Sequence, residues 1–325
     1  MTIDLRVLRD FVAIASAGSI SKAAENLHIA QPALSVHMRR LEERVGTTLL
    51  ERHHRGVKLT STGERLLQHA NEILRHVDVA LEDVRRAVAE PTGRVALGLP
   101  QSIARELVLP LVKLVLQRWP LVRLQIVEMN TGYIPEHLLK GDIDLGITFG
   151  TAHTDGIAYT HLLDEELVFV SSRRQLEQFH PEGGPDWASI RVAELSRFPI
   201  ILPTALHSLR RRIDESLAPH GIQLEVVAEV NAIPQLIELA AAGVSSTVLS
   251  FAAVTRDPAM AELVVSRITE PSLTRPVYLC RSAATPLSIA ASIIQEELRA
   301  QVGSLLDAGR WRTSPGIAPG IDATV

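Results

Sequence analysis

Leu5, Leu8, Phe11, Val12 and Ala15 fall on one face at helical spacing, which predicts a helix over residues 4 to 17. Gly18 is placed to end it and Ser19 to cap the next. That second helix is short, with Ala23, Ala24 and Leu27 facing inward. A tight connection through His28 and Ile29 leads to a third helix, from about Gln31 to Arg44, closed by Gly46. Pro32 lies in its first turn, where a missing amide costs nothing, so the proline starts this helix rather than breaking it. Leu34, Met38 and Leu41 then face a core, while Gln31, Ser35, Arg39 and partly Val36 face away. Two helices joined by a short turn, the second offering its opening turns outward, form a helix-turn-helix pattern. Leu49-Leu50 and the run ERHHRGVKLT predict two short strands around an Arg55-Gly56 turn, a basic wing.

The run Ser61-Thr62-Gly63-Glu64 has capping-box spacing, so another helix is expected there. Along it Leu66, Ala70, Ile73, Val77, Ala80, Val84 and Ala87 alternate steps of four and three, a heptad seam that suits a partner helix. Leu67, Leu74, Leu81 and Val88 widen the face, and Pro91-Thr92-Gly93 ends it. From residue 94 the pattern changes. RVALGL, VRLQIVEM, IDLGITF, LVFVSS, FPIILP, LEVVAEV and SSTVLS are β-rich, with helical segments between them, which predicts parallel α/β sheets. Residues 303–325 carry glycine and proline without a clean period and are expected to be flexible.

With 325 residues the chain is too long for one ordinary core, and 46% hydrophobic against 22% charged is a globular composition. Cys280 is the single cysteine, which excludes an internal disulfide and fits a reducing compartment. No secretory leader and no apolar run of the ~18 residues a membrane helix needs can be read, so a cytoplasmic protein without membrane contact is expected. The net charge of −4 argues against a nucleic-acid binder until it is divided. Residues 1 to 60 hold nine basic and six acidic side chains, a net of +3, leaving −7 elsewhere. A locally basic face matters more for phosphate binding than the total.

The stretch SISKAAENLHIAQPALSVHMRRLEERVGTTLLERHHRGVKLTSTGERLL resembles the N-terminal signature of LysR-type transcriptional regulators, nearly without gaps over about the first sixty-five residues. The resemblance implies a multidomain chain: an all-α winged helix-turn-helix over 1–60, a linker or dimerisation helix over 61–90, and a two-lobed α/β effector domain similar to periplasmic solute-binding proteins over 91–302. Lobe I would comprise 91–162 and 267–302, and lobe II 163–266. It further implies a homodimer or homotetramer that binds double-stranded promoter DNA, senses a small-molecule effector and contacts RNA polymerase, with no cofactor. Two segments, LPQSIARELVLPLV and LPTALHSLRRRIDESL, are most similar to the nitrogen-assimilation-control branch.

Ser21, Gln31, Pro32, Ala33, Ser35, Val36, Arg39, Arg52 and Arg55 are the expected DNA-facing set. Gln can bond an adenine edge, Arg can take guanine or phosphate, and Pro32 and Ala33 can meet a thymine methyl. Val36 departs from the polar residue many members carry. Leu66, Ala70, Ile73, Val77, Ala80 and Val84 are the expected dimerisation seam. Ligands of open α/β sheets bind beyond the carboxyl ends of strands. On that rule and the resemblance, the effector set is Gln101, Ser102, Thr131, Phe149, Pro203, Thr204, Asn231 and Ile233. Serines stand where many members have glycine (near Ser245) and proline (near Ser250), which puts the usual pocket outline in doubt. Adjacent strand histidines, His53 and His54, point to opposite faces and do not suit one metal. No catalytic motif is present, neither G-x-S-x-G, H-E-x-x-H nor a P-loop. The alternatives, a cytoplasmic small-molecule-binding protein without a DNA role or an enzyme, lack support in the basic head and in these missing motifs.

Overall fold

A computed structural model describes residues 4–53, 56–85, 91–150, 154–180, 187–255 and 257–313. Helix α1 (Leu5–Ala17) starts at Asp4, whose carboxylate accepts from the Arg6 amide at 2.9 Å, and ends at Gly18 in the left-handed region. Ser19 caps α2 (Ile20–Leu27), and His28, at φ 55°, turns the chain toward α3 (Gln31–Val45). Leu8, Phe11, Ile14, Ala23, Ala24, Leu34, Met38 and Leu41 close one small core. The wing strands β1 (Leu50–His53) and β2 (Gly56–Leu59) pair antiparallel. The wing is held to the end of α1 by the Val57 amide, 2.8 Å from the Gly18 carbonyl. A Cβ on Gly56 would overlap that carbonyl oxygen, so glycine is required by the close approach.

Helix α4 (Ser61–Arg85) is capped one residue earlier than the capping-box spacing suggests. Thr60 Oγ1 accepts from the Gly63 amide at 3.0 Å and donates to the Thr48 carbonyl at 2.8 Å. The helix then runs from the head to the next domain. There Asn71 Nδ2 donates to the Lys140 carbonyl at 2.6 Å, and Arg75 pairs with Asp144 at 2.6 Å.

The remaining chain forms β3 (Gly93–Leu99), α5 (Gln101–Arg118), β4 (Val122–Glu128), α6 (Ile134–Lys140) and β5 (Leu145–Phe149). Then follow β6 (Ile157–Ser172), α7 (Arg173–Phe179), β7 (Ser189–Arg191), β8 (Pro199–Leu202), α8 (Ser208–Leu217), β9 (Glu225–Glu229) and α9 (Ile233–Ala241). It closes with β10 (Thr247–Ser250), α10 (Phe251–Val254), β11 (Leu263–Thr269), β12 (Thr274–Ser282) and α11 (Ile289–Asp307). The sixteen-residue strand β6 belongs to both lobes. Its first part pairs with β12 and its last part with β10 and β11, all antiparallel. The sheets are therefore mixed rather than purely parallel. The parallel pairs β3/β4, β3/β5, β8/β9 and β11/β7 stand beside strands through which the chain passes between lobes and back.

This pairing corrects the expected crossing points. Glu166 still pairs with Thr274 in the first lobe, and Leu167 begins the pairing with Ser250 in the second. Arg267, Ile268 and Thr269 still pair with β7 of the second lobe, so the return lies beyond Thr269. The first lobe has a core under α5 and α11 and a smaller one under α6, and the second lobe has one around β6, α8 and α9. The expectation of a flexible tail from residue 303 also fails as far as residue 313. Helix α11 continues to Asp307, Trp311 is 1% exposed within the first lobe's core, and Glu165 bridges to Thr313. A buried indole with a hydrogen-bond partner helps to hold a segment that lacks hydrophobic periodicity. Residues 314–325 lie outside the described ones.

Candidate DNA-binding face and effector cleft

Along α3 the core side, Leu34, Met38 and Leu41, is at most 1% exposed. The other side presents Gln31, Pro32, Ala33, Val36 and Arg39 to solvent, with Ser35 half-buried and 3.5 Å from Gln31 Nε2. Arg39 makes no hydrogen bond or ion pair among the described residues, so its guanidinium is available. Ser21 is exposed in the first turn of α2. The helix is fixed in place by a bond the sequence did not signal. His37 Nδ1 lies 2.5 Å from Asp10 Oδ2, and Asp10 is buried beneath α3. Arg52 sits on β1, but its side chain and all of Arg55 fall outside what is described. His53 pairs with Glu51 at 3.5 Å, and His54 is outside the described residues. No group of three potential metal ligands occurs among the described residues.

The dimerisation seam divides. Ala70 is 0% exposed and sits in the head's core, with Leu66 packed against it, so this end is spent on the chain's own fold. Ala70 is thereby corrected from a partner contact to a core residue: α1 lies directly against this turn of α4. Beyond it Ile73 is 44% exposed, Val77 half-buried and Ala80 exposed, with Leu81 at 50% alongside. The side chain of Val84 is not among those described, and Ala87 and Val88 lie outside the described residues. Exposed leucines also went unread in the sequence: Leu109 and Leu116, seven residues apart on α5, and Leu121 just after it.

In the sensor, the two lobes approach where Thr131 Oγ1 meets Ser208 Oγ at 3.5 Å. In the first lobe the parallel strands β3 and β5 deliver their carboxyl ends to one side. Gln101 and Ser102 open α5, and Phe149 ends β5. Pro203 and Thr204 follow β8, and Asn231 Oδ1 accepts from the Thr204 amide at 3.0 Å. Ser102, Pro203 and Ile233 are buried, whereas Gln101, Thr131, Phe149 and Thr204 are half-buried and Asn231 is exposed. Ile233 packs in the second lobe's core, so within the set it is the residue most engaged elsewhere.

The sequence missed a buried charged cluster against Phe149. The Arg275 guanidinium lies 3.3 Å above the ring of Phe149 and is 3% exposed. Its Nε donates to Glu165 Oε1 at 2.6 Å, and the other carboxylate oxygen accepts from the Trp311 indole at 3.1 Å. Burial lowers the pKa of Arg275 while Glu165 opposes the shift. His207, whose Nδ1 accepts from the Leu209 amide at 3.2 Å at the start of α8, has its pKa lowered by burial first, then by Arg275 and Arg211. Ser245 Oγ donates to the Pro199 carbonyl at 2.5 Å, whereas the buried Ser250 hydroxyl, at φ −69° before α10, has no partner among the described residues. Cys280 is buried, 3.1 Å from Thr148 Oγ1, and burial raises its pKa to about 12. The thiol is therefore protonated and inert at neutral pH. A crevice of about 1290 Å³ separates the head and α4 from the first lobe, and its lining reaches Met129 and Gly132, on either side of Thr131.

Comparison with known proteins agrees over both halves. Residues 5–64 match the profile of the bacterial regulatory helix-turn-helix protein, lysR family, and residues 89–303 match the LysR substrate binding domain. The nitrogen assimilation regulatory protein nac of Klebsiella aerogenes is 31% identical over 296 residues, 91% of this chain and 94% of that protein. The nac protein of Escherichia coli K12 is 29% identical over 311 residues, 95% and 99% of the two chains. These relatives are regulators rather than enzymes, in line with the branch expected from the sequence. Among solved structures, a full-length OxyR variant from Pseudomonas aeruginosa matches with a TM-score of 0.77 at 22% identity, over 97% of this chain and 99% of that one. Full-length CbnR complexed with its target DNA matches with a TM-score of 0.55 at 23% identity, over 92% and 100%. At these identities the solved structures speak for the fold alone.

Proposed function

The chain belongs to the LysR family of bacterial transcriptional regulators, and from that premise we propose that it reads promoter DNA through α3 and is tuned by a small effector held between its lobes. The observation that carries the first part is the division of α3: Leu34, Met38 and Leu41 inside, Gln31, Ser35, Val36 and Arg39 outside. A helix so divided can enter a major groove without disturbing its own core. Gln31 and Arg39 serve as base or phosphate contacts. Pro32, Ala33 and Val36 meet thymine methyls, and Ser21, Arg52 and Arg55 hold the backbone beside them. The Asp10–His37 bond keeps the pitch of α3 constant while they do so.

Ile73, Val77 and Ala80, exposed or half-buried on α4, support pairing with a second copy, and Val84 continues their spacing. Two heads so joined suit a partly palindromic operator. Gln101, Ser102, Thr131, Phe149, Pro203, Thr204 and Asn231 line the effector cleft, and Ile233 supports its wall. The effector favours one arrangement of the lobes, and its differential affinity changes how the heads are set on DNA. Contact with RNA polymerase and residence in the cytoplasm follow from the regulatory role. With its one thiol buried and protonated, the chain's sensing rests on non-covalent binding rather than on cysteine chemistry.

The test is Ser35→Ala combined with Arg39→Ala, measured by band shift on promoter fragments and by sedimentation. Each lost base contact is worth about 1–3 kcal/mol, so specific affinity should drop at least tenfold while the oligomer stays intact. Parental affinity in the double variant would remove α3 as the reading element.

A further inference from the structure

The short segment after α11 lies where β6 leaves one lobe for the other. Arg310 Nη2 donates to Glu106 Oε2 at 2.5 Å, and Glu106 is a fully buried carboxylate on α5. Trp311 fills the first lobe's core and donates to Glu165. The Arg312 carbonyl accepts from the Glu166 amide at 2.8 Å, and Thr313 bridges to Glu165. The Arg312 guanidinium then lies 3.6 Å above the ring of Phe251, a residue of α10 that belongs to the second lobe's core. Four consecutive residues thus touch lobe I, the hinge strand and lobe II in turn.

We propose that Arg310–Thr313 is a clasp across the hinge that sets the angle between the lobes. Glu165 and Glu166 are the last residues of β6 paired within the first lobe, and Leu167 is the first paired within the second. A strand that must bend at this point is stiffened by extra backbone pairing on its free side. The stack of Arg312 on Phe251 makes the stiffening two-sided, because a swing of the second lobe away from Thr313 separates cation from ring. The clasp also reaches the cleft floor: Trp311 and Arg275 share the Glu165 carboxylate, and Arg275 covers Phe149. Opening of the lobes and position of the cleft floor are therefore linked through one carboxylate. The inference needs only the two-lobed architecture, so it stands apart from the identity of any effector.

Pulsed dipolar spectroscopy on the full chain tests it. Spin labels enter at Tyr133→Cys in lobe I and Leu206→Cys in lobe II. Both positions are exposed beside the Thr131–Ser208 contact. Cys280 can remain, since its buried, protonated thiol does not label. Dilution with unlabelled subunits isolates the distance within one chain. The parent should give one dominant distance. Arg312→Ala, which leaves Trp311 in place and removes only the cation over Phe251, should broaden it and shift it to longer values, and removal of residues 310–325 should do so more strongly. Loss of Arg310 and Trp311 takes a cation from the buried Glu106 and an indole from the core, so the truncated chain can fail to fold; the Arg312 variant then decides alone. A distance distribution for Arg312→Ala that superimposes on the parent's overturns the clasp.

Discussion

Replacing Arg275 by methionine isolates the energetics of the cleft floor. The guanidinium and the Glu165 carboxylate are both within 3% of full burial and share a 2.6 Å bond. Methionine fills much of the stem's volume and keeps contact with Phe149, so packing changes little. What remains is a carboxylate in the interior with one donor, the Trp311 indole at 3.1 Å. Breaking a buried pair from one side costs about 3–5 kcal/mol, a large fraction of the roughly 5–15 kcal/mol that holds a typical domain. Arg275→Met combined with Glu165→Gln removes the stranded charge while its amide oxygen still accepts from Trp311. The double variant should therefore recover more than half of the loss. Urea unfolding followed by tryptophan fluorescence reads both values, with equal slopes confirming that the same surface is exposed. A single variant within about 1 kcal/mol of the parent, or a double variant no more stable than the single, would refute the claim that the pair acts as one unit.

His207 should impart a pH dependence of known sign. Its pKa in the fold is below the ordinary 6.5, so the unfolded chain takes up a proton first as pH falls. The stability it contributes is complete above 6.5 and is lost as pH drops from there toward the depressed value. Melting temperatures between about pH 7.5 and 5 should fall more steeply for the parent than for His207→Gln; parallel slopes would rule the residue out. On α4, Ile73→Asp should weaken the oligomer in sedimentation while circular dichroism shows an intact head. Ala70→Asp should unfold the head itself, since that residue is 0% exposed in its core. An unchanged oligomer in Ile73→Asp would move the pairing face elsewhere.

Local pattern made the head legible. Periodicity, Pro32 in a first turn and Gly18 and Gly46 at helix ends act over a few residues, so the three helices and the outward side of α3 can be read without coordinates. The strand ends of the sensor were legible for the same reason: Phe149 ends β5 and Thr204 follows β8, while Thr131 meets Ser208 at the lobe contact. The heptad seam shows where such reading stops: spacing marks Leu66, Ala70 and Ile73 alike, yet only the nearby α1 decides that Ala70 belongs to its own chain.

The sequence by itself thus determined the helices and wing of the head, the division of α3 and most strands of the sensor, because these depend on contacts between near neighbours. Tertiary structure alone decided the mixed sheets, the point where β6 changes lobes, and the Arg275–Glu165–Trp311 cluster. Its members are 110 and 146 residues apart along the chain, so no local spacing relates them. A buried charge finds its partner in space, and a segment such as Arg310–Thr313, polar and aperiodic in sequence, becomes ordered only when a fold brings a buried carboxylate within reach of it.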